Sequence, residues 1–287
     1  MPQIAILFVM LACVLAFLAP AVQRGLQSAL KNRPGLVFAA PILLTAFFAA
    51  ASAMVGAFSA TLTLLVLLYA SAPTLLLFAQ SARGDFLAIL LLWLPIEFGA
   101  GGSLIPRAQQ GFLHSVAYGI AILLGLTLFL GLRRIDGMKY NLPRDWRDFW
   151  LPLAGFAMVA PVLIAVGIAI GFIPPPHLPT QSAGKMAAAV GIIFAGTALP
   201  EEILFRALIQ DLMMQRFGKG ARTLFWASFI FGCAHLDNGP QSIPNWRYMI
   251  VATIAGIAYG RVFQKSRSVV SSAILHMMVD WTKHFFF

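Results

Sequence analysis

Residues 200–206 place two carboxylates and a guanidinium within two helical turns. The sequence is Pro-Glu-Glu-Ile-Leu-Phe-Arg, so Glu202 and Arg206 are four residues apart and share one helical face. That spacing predicts an ion pair with an architectural role. Glu201 is rotated about 100° away from Glu202, off the face that carries Arg206. Because burial favours the protonated form of a carboxylate, Glu201 is suited to accept a proton near neutral pH.

His235 ends a second segment that could take part in chemistry, residues 231–235, with the sequence Phe-Gly-Cys-Ala-His. Small residues beside the imidazole would let another helix or a substrate backbone approach closely. Phe231, one turn before His235, offers an aromatic wall. The segment therefore predicts an imidazole at a close contact inside the protein.

His276 and Asp280 form a third element and are also one helical turn apart. A carboxylate at that spacing could orient the imidazole or share its proton. Glu201, His235 and His276 on separate helices could then form a water-activating triad, or a metal site, in the core of a helical bundle. The residues alone leave both possibilities open.

The three elements occur in the order Glu-Glu-x-x-x-Arg, Phe-x-x-x-His and His-x-x-x-Asp, each inside an apolar run. One element alone has little specificity, since Glu-Glu-x-x-x-Arg is common on soluble helices. Three in this order resemble the CPBP family, the CAAX proteases and bacteriocin-processing proteins. The resemblance covers residues 185–287, and the first half of the chain has no motif that we assign.

This resemblance implies an intramembrane endopeptidase in which a glutamate and a histidine activate water. Carried over to this sequence, Glu201 is the expected general base, and His235 is expected to position or polarise the water. The expected oxyanion-stabilising pair is His276 and Asp280. The expected supporting residues are Glu202, Arg206 and Phe231.

The family motif allows Asn or Asp at position 280, and the two differ in charge when the aspartate is ionised. An ionised Asp280 would repel an oxyanion. Either Asp280 is protonated, or it acts by orienting a protonated His276.

The sequence leaves two possibilities for a cofactor: no cofactor, or Zn²⁺. The family is labelled a metalloprotease family, although its mechanism resembles that of glutamate-dependent peptidases. The sequence contains no His-Glu-x-x-His zinc signature. Glu201, His235 and His276 could nevertheless hold Zn²⁺ with an open fourth position.

The composition excludes a water-soluble domain. Of the 287 residues, 60% belong to the hydrophobic set and 10% are charged, with a mean hydropathy of +0.85. Soluble domains have about 25% charged residues, and disordered chains need low hydrophobicity. The chain is therefore expected to be an all-α polytopic membrane protein. Its net charge of +10 lies in short scattered groups, which is typical of contacts with lipid headgroups and not with nucleic acid.

Spanning helices need about 20 predominantly apolar residues, and the chain offers about ten such segments, with a range of eight to ten. The seventh is interrupted by Pro200 and could form two helical pieces. Glu97, in the fourth of these apolar segments, is interpreted as a structural polar bridge. The first is expected to be a span and not a signal peptide, because it lacks a basic n-region. The segments are 3–22, 36–55, 60–79, 86–105, 112–132, 149–173, 186–215, 223–237, 248–262 and 269–287.

The Lys and Arg residues indicate an orientation. Fifteen of the twenty, Arg83 among them, lie in the odd-numbered connections of this division, and four lie in the even-numbered ones. The bias predicts that both termini are non-cytoplasmic. The compact chain without a targeting element favours a bacterial inner membrane, where a prenylated substrate would be unexpected. Peptide pheromones, bacteriocin precursors and membrane-protein tails are open candidates.

Three regions are expected along the chain. Residues 1–132 form transmembrane helices without an assigned role, and residues 133–182 a basic cytoplasmic interfacial loop and a connecting transmembrane helix. Residues 183–287 form the catalytic helical bundle, whose expected partners are the lipid bilayer and a membrane-associated protein or peptide. Interrupted helices with buried ionisable residues are also typical of transporters. A transporter and a non-catalytic scaffold or immunity protein are therefore the alternative functions.

Overall fold

The computed structural model describes residues 2–79, 84–239 and 242–287. Within these ranges the chain is 80% helical and contains no β-strand, which confirms the all-α prediction. Arg83, which contributes to the predicted orientation, lies outside the described residues. The helices are α1 (Pro2–Ala16), α2 (Pro20–Asn32), α3 (Ala39–Met54), α4 (Ala60–Ala79), α5 (Asp85–Glu97), α6 (Gln110–Leu126), α7 (Trp146–Ala169), α8 (Ala183–Phe217), α9 (Ala221–Cys233), α10 (Trp246–Lys265) and α11 (Val269–Phe286).

Several helices have the length and composition of membrane spans, and the chain is an integral membrane protein. A search of the described ranges finds five candidates, or six if the bent pair α1 and α2 is one span. The exact count of about ten is not confirmed. The five are Pro34–Met54, Ala60–Ala79, Arg107–Leu132, Trp146–Ala169 and Ala183–Phe217.

Two expected spans before residue 137 are wrong in their bounds. The segment 3–22 is not one helix, because α1 ends at Ala16 and α2 leaves it at an angle of 81°. Pro20 begins α2 at a position where its missing N–H costs nothing. The segment 86–105 is interrupted, since α5 ends at Glu97 and the backbone then turns through Gly99 and Gly101, both with positive φ.

The chain divides into two compact units, Met1–Asp136 and Gly137–Phe287. In the first unit, the acidic side chains of α5 each have a defined partner. Arg133 Nε donates to Asp85 Oδ1 at 2.8 Å, and Trp93 Nε1 donates to Glu97 Oε2 at 2.8 Å. These are two separate hydrogen bonds between side chains. Among the described residues of this unit, no group of His, Cys, Asp and Glu side chains is placed to hold a metal ion.

The second unit contains α7 to α11, and polar caps fix where its helices begin. Ser182 caps α8 by accepting the backbone N–H of Lys185, and Ser268 caps α11 by accepting that of Val270. Asn245 caps α10 in the same way. These side chains satisfy N–H groups that the first helical turn leaves without partners, so the helix starts are set by local chemistry.

Lys139 and Asp148 hold the turn between α10 and α11. Lys139 Nζ donates to the carbonyl oxygens of Phe263 at 2.7 Å and Ser266 at 2.9 Å. Asp148 Oδ1 accepts the backbone N–H of Arg267 at 2.9 Å. Lys139 lies outside the spanning segments, and its burial, together with the charge of Lys219, lowers its pKa. The turn that leads into α11 is therefore fixed by side chains far away in sequence.

Helix α8 is one continuous segment and not two pieces. Wide π-helical turns at Phe194–Ala198 and Ile203–Gln210 lie on either side of Pro200. A proline inside a helix has no N–H to donate to the carbonyl one turn earlier. Local π-helical turns beside a proline let the helix continue past the missing hydrogen bond, and such turns are frequent at functional sites. They set the rotation of the two glutamates that follow Pro200.

Candidate active site

Glu201, His235 and His276 come together from three parts of the second unit. Glu201 lies on α8, His235 two residues after the end of α9, and His276 in the second turn of α11. Glu201 Oε2 is 3.8 Å from His276 Nε2 and 4.0 Å from His235 Nε2. These separations exceed a direct hydrogen bond and are of the size that one bridging water molecule spans, while Glu201 Oε2 itself is closed to bulk solvent.

His235 does not lie within a helix as expected. The predicted segment 223–237 is shorter in the structure, because α9 ends at Cys233 and His235 lies in the following turn. Its Nδ1 is 2.8 Å from the carbonyl oxygen of Phe231. Since a carbonyl only accepts, Nδ1 carries the proton, and the Nε2 lone pair of the neutral ring faces Glu201.

Glu202, Arg206 and Gln210 form a row along α8 that is closed to solvent. Arg206 Nε donates to Glu202 Oε2 at 3.2 Å, and both side chains have an exposed fraction of 0%. Arg206 Nη1 donates to Gln210 Oε1 at 3.4 Å, and Gln210 Nε2 donates to the carbonyl of Gly260 at 3.0 Å. The ion pair expected from the four-residue spacing is present. We call this row the buried side of the site.

Glu202 also joins the buried side to His276. Its Oε1 is 3.2 Å from His276 Nδ1. A carboxylate held between a guanidinium and an imidazole is ionised and accepts from both, so His276 Nδ1 donates to it. Glu202 therefore fixes the orientation of the His276 ring as well as pairing with Arg206.

His276 Nε2 faces two carboxylates on the other edge of the ring. Asp280 Oδ2 lies 3.4 Å away and Glu201 Oε2 3.8 Å away. The side chains of Glu201 and Asp280 have exposed fractions of 21% and 28%. We call Glu201, Asp280 and the neighbouring Lys283 the open side of the site.

Phe231 forms the aromatic wall that its spacing predicts. Its ring centroid is 4.8 Å from that of His235 and 5.7 Å from that of His276. The guanidinium carbon of Arg206 lies 4.8 Å from the same centroid. The ring thus contacts both imidazoles and shields the Arg206 charge.

Small residues bring α10 close to this wall. An added Cβ at Gly232 would lie 2.6 Å from the carbonyl oxygen of Met249. At Gly256 it would lie 3.1 Å from Phe231 and 3.3 Å from Arg206 Nη2. The close helix approach expected beside His235 is therefore present, and it depends on glycine on both helices.

A cavity of about 470 Å³ adjoins the open side. Asp280, Lys283 and Tyr248 line it from α11 and α10, together with Phe172 and Ile173. Asp280 connects this cavity to His276. Substrate-sized space and the ionisable cluster are therefore adjacent within one unit.

Sequence reasoning missed two tyrosines that contact the imidazoles. The Tyr259 ring stacks on His276 with centroids 4.5 Å apart, and the Tyr248 ring meets His235 edge-on at the same separation. Their spacing of eleven residues places both on one face of α10. That spacing was a usable signal. Gln210, one turn beyond Arg206, continues the same row and could also have been found.

The site residues do not fit a metal centre as they are arranged. In the described part of the chain, no group of three or more His, Cys, Asp and Glu side chains is placed to hold a metal ion. Nδ1 of His235 faces a carbonyl, Nδ1 of His276 faces a carboxylate, and His276 Nε2 also faces Asp280. Among the described residues, Glu201, His235 and His276, the expected ligands, are not placed as a metal-binding group.

A comparison with protein families matches residues 183–282 to the type II CAAX prenyl endopeptidase Rce1-like family. Residues 183–282 are Rce1-like. This segment contains the charged and aromatic residues described above from Glu201 to Asp280. The match confirms the CPBP resemblance. It covers just over a third of the chain and supports a membrane endopeptidase in general. No curated protein and no solved structure matches the chain.

Proposed function

We propose that this protein is an intramembrane endopeptidase that hydrolyses a peptide bond of a membrane-associated protein or peptide. Glu201 and His235 activate water, and His276 with Asp280 stabilises the oxyanion. The observation that carries the proposal is the position of Glu201 Oε2, about 4 Å from both imidazole Nε2 atoms. The Rce1-like segment supports the reaction class.

Water activation follows from the acceptors that face each other across this gap. A water molecule between Glu201 Oε2 and His235 Nε2 donates one proton to each. Its oxygen lone pair then points away from both acceptors, toward the substrate carbonyl carbon. As the C–O bond forms, Glu201 takes the proton. General-base catalysis of this kind contributes about 10²- to 10⁴-fold to a rate.

The oxyanion is stabilised by His276. Because Nδ1 donates to Glu202, and Nε2 faces the carboxylates of Asp280 and Glu201, a ring protonated on both nitrogens places its positive charge beside all three carboxylates. Asp280 then acts by orienting a protonated His276. Its own charge is offset by the imidazolium. Nε2–H donates to the carbonyl oxygen as it gains charge.

Collapse of the tetrahedral intermediate completes the hydrolysis. The carbonyl double bond re-forms, the C–N bond breaks, and Glu201 returns the water proton to the leaving nitrogen. The new carboxylic acid then gives its proton to the amine, so the products are a carboxylate and an ammonium group, and Glu201 is ionised again. Glu202, Arg206 and Phe231 keep the imidazoles in place throughout.

The proposed location is a bacterial inner membrane with both termini non-cytoplasmic. Its support is the distribution of Lys and Arg over the helix ends. Basic groups flank the connections before α3, between α6 and α7, between α8 and α9, and between α10 and α11. Alternate connections carry few such residues, which is typical of helices that cross a membrane in turn.

The decisive experiment measures cleavage by the purified full chain in proteoliposomes. The substrates are quenched-fluorescence peptides with a membrane anchor, one series prenylated and one acylated. We expect cleavage by the wild type and a loss of about 10²- to 10⁴-fold in Glu201→Gln. Glu97→Gln is the matched control, because it makes the same change on an apolar helix of the first unit. Full activity in Glu201→Gln would refute the assignment.

The natural substrate is found by comparing proteomes of cells that carry the wild type and Glu201→Gln. An uncleaved precursor that accumulates only in the variant identifies it. Solute flux that depends on Glu201 without cleavage would favour a transporter instead. Intact binding of a partner without either activity would favour a scaffold or immunity protein.

A further inference from the structure

Helix α2 of the first unit leaves α1 at an angle of 81°. Its 13 residues, Pro20–Asn32, are too few to cross a bilayer, because a spanning helix needs about 20. If α1 follows the membrane normal, α2 runs along the membrane surface. The side chains of α2 are therefore expected to meet protein, lipid and water on different edges of the helix.

One edge of α2 packs on the helical segment that follows α6. Leu26 and Leu30 contact the backbone at Gly131, where an added Cβ would lie 2.6 Å from Leu26 Cδ2 and 3.1 Å from Leu30 Cδ1. Gln27 Nε2 donates to the carbonyl oxygen of Leu130 at 2.8 Å. These contacts fix the rotation of α2 about its own axis, so the positions of its other edges are also fixed.

The two edges that flank this packed edge are exposed and differ in their chemistry. Val22 and Ala29 are seven residues apart and share one edge, where Val22 is 41% exposed. Arg24 and Lys31 are also exposed and seven residues apart. Because Arg24 follows Val22 by two positions, a rotation of about 200°, the basic edge lies nearly opposite the apolar edge. This arrangement is typical of a helix at the boundary between hydrocarbon and lipid headgroups.

Arg134 adds a third exposed cation beside the basic edge of α2. Its Nη2 donates to the carbonyl oxygen of Gln27 at 3.2 Å, and its backbone has a φ of 56°, which residues with a side chain rarely adopt. In the described part of the chain, none of Arg24, Lys31 and Arg134 belongs to an ion pair. The charges of these three residues are therefore available to an anionic ligand.

We propose that α2 lies in the membrane interface and binds the headgroups of anionic phospholipids through Arg24, Lys31 and Arg134. Val22 and Ala29 then contact the acyl chains below the headgroups. Phosphatidylcholine neutralises its phosphate with its own ammonium group, whereas phosphatidylglycerol has a net negative charge. The basic edge therefore favours phosphatidylglycerol. This binding goes beyond the proposed peptide hydrolysis and does not depend on it.

The test measures lipid binding to the full chain in detergent by native mass spectrometry. Phosphatidylglycerol and phosphatidylcholine with identical acyl chains are titrated separately. We expect the wild type to bind phosphatidylglycerol more tightly. In Arg24→Gln/Lys31→Gln, the affinity for phosphatidylglycerol should fall by about five- to 25-fold, since a basic residue near anionic lipid contributes about fivefold. The affinity for phosphatidylcholine should stay the same.

Arg107→Gln/Lys185→Gln is the matched control, because it removes two exposed positive charges elsewhere in the chain and should keep the preference. Arg24→Lys/Lys31→Arg should keep it as well, which separates charge recognition from a folding defect in the glutamine variant. Equal binding of the two lipids by the wild type would overturn the proposal. A preference that survives Arg24→Gln/Lys31→Gln, or an equal loss in the matched control, would also overturn it.

The position of α2 is tested with nitroxide labels on Val22→Cys and Ser28→Cys, each in a Cys13→Ser/Cys233→Ser background. The labelled chains are placed in nanodiscs that contain phosphatidylglycerol. Oxygen, which concentrates in hydrocarbon, should relax the label at position 22 more strongly. A water-soluble nickel complex should instead relax the label at position 28, where the native serine is exposed. The same response at both positions would overturn the interfacial placement of α2.

Discussion

The buried side and the open side of the site each contain a glutamate, and the two glutamates have different surroundings. Glu202 and Glu201 are neighbours in sequence, yet Glu202 has no solvent exposure and is held by Arg206 and His276. Glu201 is 21% exposed and faces two imidazoles across a gap. The difference arises from the rotation of about 100° between successive residues of a helix. A buried carboxylate with fixed partners orients other groups, whereas a partly exposed one beside two imidazoles is placed to exchange protons.

Removal of Arg206 should produce the largest effect on the buried side. In Arg206→Met, Glu202 keeps its buried position without the guanidinium, which costs about 3–5 kcal/mol for an uncompensated buried charge. We expect a large loss of folded protein, measured by thermal unfolding in detergent and by monodisperse yield. The double variant Glu202→Gln/Arg206→Met should recover part of the loss. If Arg206→Met unfolds at the wild-type temperature, the buried side does not stabilise the unit.

His276 contacts both sides, so its replacement should separate their contributions. In His276→Asn the oxyanion loses its donor, and kcat should fall about 10²- to 10³-fold. Glu202 loses one of its two partners as well, so the unfolding temperature should also fall, by less than in Arg206→Met. Tyr259→Phe is the control, because it keeps the stacked ring and should change neither value greatly. A fall in stability with unchanged kcat would show that His276 is purely structural.

Asp280→Asn tests how the open side tolerates a carboxylate next to an oxyanion. If Asp280 orients a protonated His276, the loss of its charge should lower kcat, by about tenfold since the amide keeps the shape and one acceptor. If Asp280 acts as a protonated donor, Asn should be equally active or better. Initial cleavage rates distinguish the two alternatives. Asp237→Asn, the same change on an exposed residue after His235, is the control.

The contacts that the sequence predicts are those within one helix. The Glu202–Arg206 pair and the approach of Asp280 to His276 both follow from a four-residue spacing, because helix geometry alone brings such residues together. The contact between Glu202 and His276 joins residues 74 positions apart. It depends on how α8 packs on α11, and a single sequence carries no local signal for that packing.

The fold was predictable to a similar extent. Apolar composition establishes an all-helical membrane protein, but it does not show where an apolar run bends. Pro20 and the positive-φ glycines after α5 break two runs that are apolar throughout. Helix α9 has 13 residues and is too short to span, and polar residues interrupt α10 and α11, so none of the three is a candidate span even though they build the site. Ionisable and polar side chains at the site therefore weaken the apolar pattern by which spanning helices are found.

Gly256→Ala should have the smallest effect, and it tests whether a change on the buried side alters the open side. The new Cβ would lie 3.1 Å from Phe231, 3.2 Å from Ser228 and 3.3 Å from Arg206 Nη2. These groups belong to the buried side or the wall behind it, so we expect a loss of about 1 kcal/mol in stability from overpacking. Cleavage should change by less than about threefold, because Glu201 and Asp280 are not displaced.

The control is Gly191→Ala on α8, where nothing lies within 4 Å of the added Cβ. That change should be neutral or slightly stabilising, since alanine favours helix over glycine by about 1 kcal/mol. Unfolding temperatures and cleavage rates of the two variants are compared in the same detergent. If Gly256→Ala instead lowers activity as much as Asp280→Asn, strain on the buried side reaches the open side. The two sides would then act as one mechanical unit, and the division between orientation and proton transfer would fail.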